Sequence, residues 1–347
     1  MLRAPCLRTF PGPSVTFLVR LLACIALVPV SCGMAAEEPE PAGTAVLEAI
    51  VVSGEQPGPG LWKVTRDGHV LWILGTTRPL PKDMRWISRD VEAVIAESGE
   101  VILPPRGMVT VKGGIFGGLL LMPSLVGARN IPDGKTLADV VPADLHARWS
   151  VLRQTYLPRD KDVDKRRPVF AAFELFDAAI RQSNLSFKDV VDPLVRRAAK
   201  RGKIALTEPG VHIRIDKARA AIKEFKKASV DDLECLRRTL DIVEGKLDIL
   251  RQRANAWAVG DVEALAALPA PDHYRVCEDA LLRSAVAEQR GIDELPQRAR
   301  QAWLDAVDQA LRRNETSFAS LGVVSLTEAD GYLDDLRALG ARVEAPL

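Results

Sequence analysis

Leu61-Trp62-Lys63-Val64-Thr65-Arg66-Asp67-Gly68-His69-Val70-Leu71-Trp72-Ile73-Leu74-Gly75-Thr76 is the stretch from which a fold can be read. Residues 61–65 and 70–74 are apolar runs of strand length, and Asp67-Gly68 between them suits the positive φ angles of a tight turn. A β-hairpin is predicted. Downstream, Ser88 can cap a helix through Ala96 with Val91, Val94 and Ile95 on one side, and Val101-Ile102-Leu103 reads as a buried strand. Strand, helix, strand in that order implies a parallel pair within a sheet. At the far end, 318–324 has strand character, 330–339 is a helix stopped by Gly340, and Arg342-Val343-Glu344 is a last strand.

Between these ends the pattern is helical. Helices are predicted over 142–156, 168–181 (Val169, Phe173, Phe176 and Ile180 on one face) and 193–201, with a short strand at 204–206. Leu233, Leu236, Leu240, Val243, Leu247, Leu250, Ala254 and Trp257 are spaced 3, 4, 3, 4, 3, 4, 3, which predicts one long helix ended by Gly260. Its seam can pack on the chain's own helices or zip two protomers. Further helices fit 262–268, 273–289 and 296–313. The fold class is therefore α/β (mixed α+β): a central mixed sheet built from N- and C-terminal segments, flanked by helices, with a large helical insertion over about 138–313. Residues 61–347 form one domain.

Residues 1–36 carry Arg3, Arg8 and Arg20, no acid, the apolar run 21–30, then small residues through Ala36. This is the pattern of a cleaved signal peptide, predicting a periplasmic or secreted protein. A lipid anchor on Cys32 is the minority alternative, and the run is too short for a transmembrane anchor. Residues 37–60, rich in Pro, Glu and Gly, read as a mobile, disordered leader. Cys235 and Cys277 then remain for an oxidising compartment, as a disulfide or as two buried thiols. The segment 113–128 is apolar but broken by Gly and Pro123; it is read as buried or dimer-covering, or else as a membrane-surface or ligand-covering flap.

Lys and Arg (47) balance Asp and Glu (46), and loss of three Arg with the signal peptide leaves 44 against 46. That is no footprint for nucleic acid. The basic runs 161–167 and 223–227 read as solvated faces, and neither a Walker loop nor Gly-x-Gly-x-x-Gly supports a nucleotide cofactor. His69, beside the turn, reads as solvated; His146 and His212 are isolated, and none of the three has a second His at i+4. Ser325 lacks a nucleophile-elbow motif.

The hairpin with Gly75-Thr76 and Leu80-Pro81, the run Ile131-Pro132-Asp133-Gly134-Lys135-Thr136-Leu137, the 192–203 helix, Ala256-Trp257-Ala258-Val259-Gly260-Asp261, Arg313-Asn314 and 330–340 occur in an order that resembles the TraB/GumN superfamily, which includes Tiki-type metalloproteases. The resemblance covers about 61–347 and implies two Gly-x-x-His motifs and acidic residues gathered at one sheet end around a divalent metal. Here the first motif reads Gly75-Thr76-Thr77-Arg78 and the second Gly322-Val323-Val324-Ser325, while Pro104-Pro105-Arg106 stands where an acid is expected. A guanidinium has no lone pair to give a metal. Only Glu208 matches a family acid. The vestigial pocket is thus expected to hold Gly75, Thr76, Thr77, Arg78, Glu208, Arg313, Asn314, Gly322 and Ser325, with no catalytic residue, no metal and no cofactor. Arg78 either anchors an anion or pairs with Glu208. The expected function is binding of a peptide or anionic envelope component. The alternatives are a metal-dependent hydrolase with rearranged ligands, such as Glu208 with a histidine from the insertion, and a structural homodimer.

Overall fold

The Asp67-Gly68 turn closes where the sequence places it. In the computed structural model of the protein, strands β1 (Leu61–Arg66) and β2 (His69–Thr76) pair antiparallel, and Asp67 and Gly68 take φ of 52° and 87°. Both values lie in the left-handed region that a two-residue hairpin turn requires. The structure describes residues 55–112, 114–270 and 273–346. The signal segment 1–36 with Cys32, and leader residues 37–54, lie outside them. The described part of the leader is fixed: Glu55–Gln56 pairs with Arg85–Trp86, and the Gly58 amide donates to the Ala258 carbonyl at 2.8 Å. Prolines and glycines here supply an extended backbone whose polar groups two neighbouring segments satisfy.

After the hairpin come α1 (Arg89–Glu97), β3 (Glu100–Ile102), β4 (Arg106–Val111) and α2 (Gly114–Ala128). The middle of the chain contains α3 (Ala143–Tyr156), α4 (Pro168–Gln182), α5 (Asp192–Gly202), β5 (Ala205–Thr207), β6 (Gly210–Ile215) and α6 (Ala218–Lys227). Then follow α7 (Leu233–Gly245), α8 (Leu247–Val259), α9 (His273–Leu282), α10 (Leu295–Arg313), β7 (Thr316–Gly322), α11 (Val323–Thr327), α12 (Tyr332–Ala338) and β8 (Arg342–Glu344).

The central sheet is mixed and is built largely from the two ends of the described chain. Its order is β8-β1-β2-β7-β3-β5, antiparallel from β8 to β2 and parallel from β2 to β5. β2 and β3 are parallel as expected, but they are not neighbours, because β7 lies between them. The reason is visible in β7 itself: Ser317, Phe318, Ala319, Ser320 and Leu321 are all buried, which suits a strand covered on both faces. Among the described residues no helix is long and apolar enough to cross a membrane.

Three local expectations are corrected, and one pairing was not foreseen. The seam 233–257 is two helices, α7 and α8, parted at Lys246 (φ −127°, ψ 9°). Leu247 resumes the same spacing, so periodicity alone does not register the break, and the break lets Leu236 and Leu240 enter one core while Ala254 and Trp257 enter another. The predicted helix 273–289 ends at Leu282, and the Ser284 hydroxyl, accepting from the Ala287 amide, starts a separate turn. β4 and β6 form an unexpected parallel ribbon against α10; β4 mixes Met108, Val109 and Val111 with Arg106 and Thr110 and is largely exposed, so no clean apolar alternation announces it. The described part of 113–128 is a helix with an exposed apolar face rather than a buried segment.

The second core lies among α3, α4 and α7, with Trp149, Phe176 and Leu240 inside it. At its rim Asp232 is 4% exposed, accepts from the Val169 amide at 3.0 Å and feels the Arg167 charge. Burial nevertheless dominates and pushes its carboxyl from 3.8 up to about 6. The native state therefore keeps a proton that the unfolded chain has already released, so this group's contribution is full below about pH 4 and is lost as pH rises to about 6. Asp232→Asn, compared with the parent by urea unfolding, should gain on it by on the order of 2 kcal/mol between about pH 4 and about pH 7. Parallel pH profiles for the two proteins would refute this assignment.

Candidate functional site

β2 and β7 run side by side in the same direction, with Thr76 opposite Gly322, so the segments that leave them emerge together at the C-terminal edge of the sheet. Loops beyond parallel strand ends are where open α/β sheets place ligands. Thr77 and Arg78 from one strand and Ser325 from the other line a cleft of about 610 Å³. Its far wall comes from α8 and α9, through Arg253, Tyr274, Arg275 and Glu278, with Glu328 beyond α11.

Gly75 explains how this edge is held. A Cβ at Gly75 would come within 2.5 Å of the Trp62 ring, so only glycine permits that approach. The Gly75 carbonyl accepts from the Trp257 indole at 2.8 Å, and Trp257 packs edge-on against Trp86. The motif glycine is therefore clamped between two tryptophans.

Charge in the cleft is uneven. Arg78 is more than half exposed, and its nearest anion is Asp189, at 3.6 Å; Glu208 is not its partner. Arg275 pairs with Glu328 at 3.1 Å. Arg253 is 6% exposed and donates through Nη1 to the carbonyls of Leu265 (3.0 Å) and Leu268 (2.7 Å). Burial alone lowers its pKa, and among the described residues no carboxylate is ion-paired with it and no protein acceptor meets Nε or Nη2. Burial against the cleft wall, with a smaller push from Asp279, raises the pKa of Glu278. Burial also pushes Tyr274 up to about 12, against the pull of the Arg78 charge.

The remaining sequence candidates lie elsewhere. Glu208 follows β5 at the sheet margin and is held by Arg196 at 2.6 and 3.1 Å, a contact that lowers its pKa. Arg106 lies near Glu208 and not among the cleft residues. Arg313 and Asn314 are at the opposite, N-terminal end of β7, where they donate to buried Glu100 at 2.9 and 3.3 Å. His69 is only partly solvated: it is half-buried, and its Nδ1 donates to the Asn314 carbonyl at 2.7 Å. The residues that the sequence reading missed are Asp189, Arg253, Tyr274, Arg275, Glu278 and Glu328. The i, i+4 relation of Tyr274 and Glu278 was the available signal for a shared helix face.

Cys235 on α7 and Cys277 on α9 are joined by a disulfide. Among the described residues no group of three or more His, Cys, Asp or Glu is placed to hold a metal ion. No curated protein and no solved structure matches the chain. The model of the TraB/PrgY/gumN family does match, over residues 60–345, from the first strand of the hairpin to the last strand of the sheet, and the chain belongs to that family.

Proposed function

We propose that the protein binds an anionic group in the cleft beyond β2 and β7, and that Arg78 and Arg253 receive it. The observation that carries this reading is Arg253: a nearly buried guanidinium in a cleft wall, met among the described residues only by two carbonyls, is costly unless an anion completes it. Arg78 is loosely held at the mouth and free to close on the same ligand. The ligand class is a peptide carboxylate or the phosphate of an envelope component, reached outside the cytoplasm after loss of residues 1–36. The disulfide supports that compartment, since such bonds persist where conditions are oxidising.

A divalent metal does not fit the donors at these strand ends. Arg78 offers no lone pair, Ser325 is a neutral hydroxyl, and Glu328 already answers Arg275. The chain's own groups instead suit capture of a negative charge.

The test is calorimetric titration of the full chain with inorganic phosphate and with an N-acetylated peptide bearing a free carboxylate, each repeated on Arg78→Ala. The expected result is a loss of about tenfold or more in affinity, with the melting midpoint nearly unchanged, because an exposed pair contributes only about 0–1 kcal/mol. Unchanged affinity, or a melting point lowered by several degrees, would show that Arg78 serves the fold instead.

A further inference from the structure

Helix α2 contains no charged residue, and from residue 118 onward it exposes most of its side chains. Among its described side chains, from residue 118 to 128, only Leu121 and Ala128 are buried, while Leu119 and Leu120 are 67% and 72% exposed and Met122, Leu125 and Val126 are also open. A helix that is apolar all round is normally enclosed. This one is laid down on a single side, with α6 beside it.

The apolar surface continues into a groove of about 500 Å³, where Met122, Leu125 and Val126 meet Phe170, Ile222 and Phe225. What surrounds it is basic. Lys112, Lys217 and Arg219 line a second cavity with Leu120 and Leu121, and Lys226 lies against α2, its Nζ 3.0 Å from where a Cβ of Gly127 would be. Lys223 and Lys227 continue the row along α6.

These six cations differ from most of the protein's arginines, which are ion-paired. Among the described residues none of the six has a carboxylate partner; of the acids nearby, Asp216 is engaged by Arg214 and Glu224 by Arg290, while Asp231 and Asp232 share a cavity with Lys227 without pairing with it. Exposed leucines flanked by unanswered lysines match a surface with apolar depth and negative headgroups.

We propose that α2 and α6 form a docking face for an anionic phospholipid bilayer. α2 lies in the interfacial plane with Leu119, Leu120 and Val126 inserted, and the α6 lysines meet the headgroups. No spanning helix is involved, and the cleft beside Arg78 takes no part.

The test is flotation of the full chain with vesicles of phosphatidylcholine containing about one quarter phosphatidylglycerol, against phosphatidylcholine alone. Two variants accompany it: Leu119→Asp with Leu120→Asp, and Lys223→Gln with Lys226→Gln and Lys227→Gln. Four of the five altered side chains are exposed and Lys226 is half-buried, and unchanged melting of each variant confirms that it folds. The expected result is binding that needs the anionic lipid, weakens with salt and drops about 100-fold in the lysine variant, from about fivefold per lysine near such a surface. The aspartate variant loses it as well. The apolar run 21–30 is common to every protein compared, so only the variant-sensitive fraction is read. Equal binding by parent and variants, equal binding to both vesicles, or no binding overturns the proposal. So does a parent that is dimeric and an aspartate variant that becomes monomeric with vesicle binding unchanged, which would make this face a contact between two copies of the chain.

Discussion

Replacing Trp257 with alanine lowers the free energy of unfolding by about 3–5 kcal/mol, a large share of the stability that a folded chain normally has to lose. The side chain is 1% exposed, so its whole apolar area is withdrawn from water, and its removal leaves a hole beside Trp86. It also strips the buried Gly75 carbonyl of its indole donor. Trp257→Phe separates the two effects: it keeps most of the ring's bulk but not the hydrogen bond, and should cost about 1–2 kcal/mol. Because Gly75 lies three residues before Arg78, Trp257→Ala also loosens the cleft, so any affinity measured there should fall with stability. Urea unfolding of the three proteins checks the order parent, phenylalanine, alanine. An alanine variant as stable as the phenylalanine one would mean that packing contributes nothing beyond the hydrogen bond.

Loss of the disulfide is the second large effect. Cys235 and Cys277 are 42 residues apart and both fully buried, so the bond constrains the unfolded chain and is shielded in the folded one. Closing a loop of that length contributes about 4 kcal/mol in the chain-entropy account. The double variant Cys235→Ser with Cys277→Ser is therefore expected to melt about 10 °C lower. Thiol reagent added to the native parent should act slowly, because the sulfurs must first be exposed, and quickly once urea is present. A double-serine protein melting with the parent would show that the helices around the bond already fix the same geometry.

Much of the sheet was legible because its signals are local. Asp67-Gly68 specifies its own turn, and the runs in β2, β3 and β7 are apolar enough to mark strands wherever they end up. The insertion of β7 between β2 and β3 was not legible, since strand order depends on which surfaces remain uncovered after the whole chain has collapsed. The site divides in the same way. Thr77, Arg78 and Ser325 were identified because each follows a strand end, and parallel pairing brings those ends together. Arg313, Asn314 and Glu208 were grouped with them by motif, yet they answer Glu100 and Arg196 elsewhere. Nothing in the spacing of Arg253 distinguishes a buried cleft-wall cation from one snorkelling to solvent, so that residue needed the fold.

The position of β7 also sets the order in which the molecule can be completed. Val70 waits for Thr316, and until that partner exists β2 and β3 each present an open strand edge to whatever else is near. Such late, long-range closure is slow, because the loop must be closed before any contact repays it. From the completion of β5 at Thr207 until β7 begins at Thr316, the nascent chain can hold only two half-sheets with open margins, and that vulnerable period ends with the arrival of one seven-residue strand.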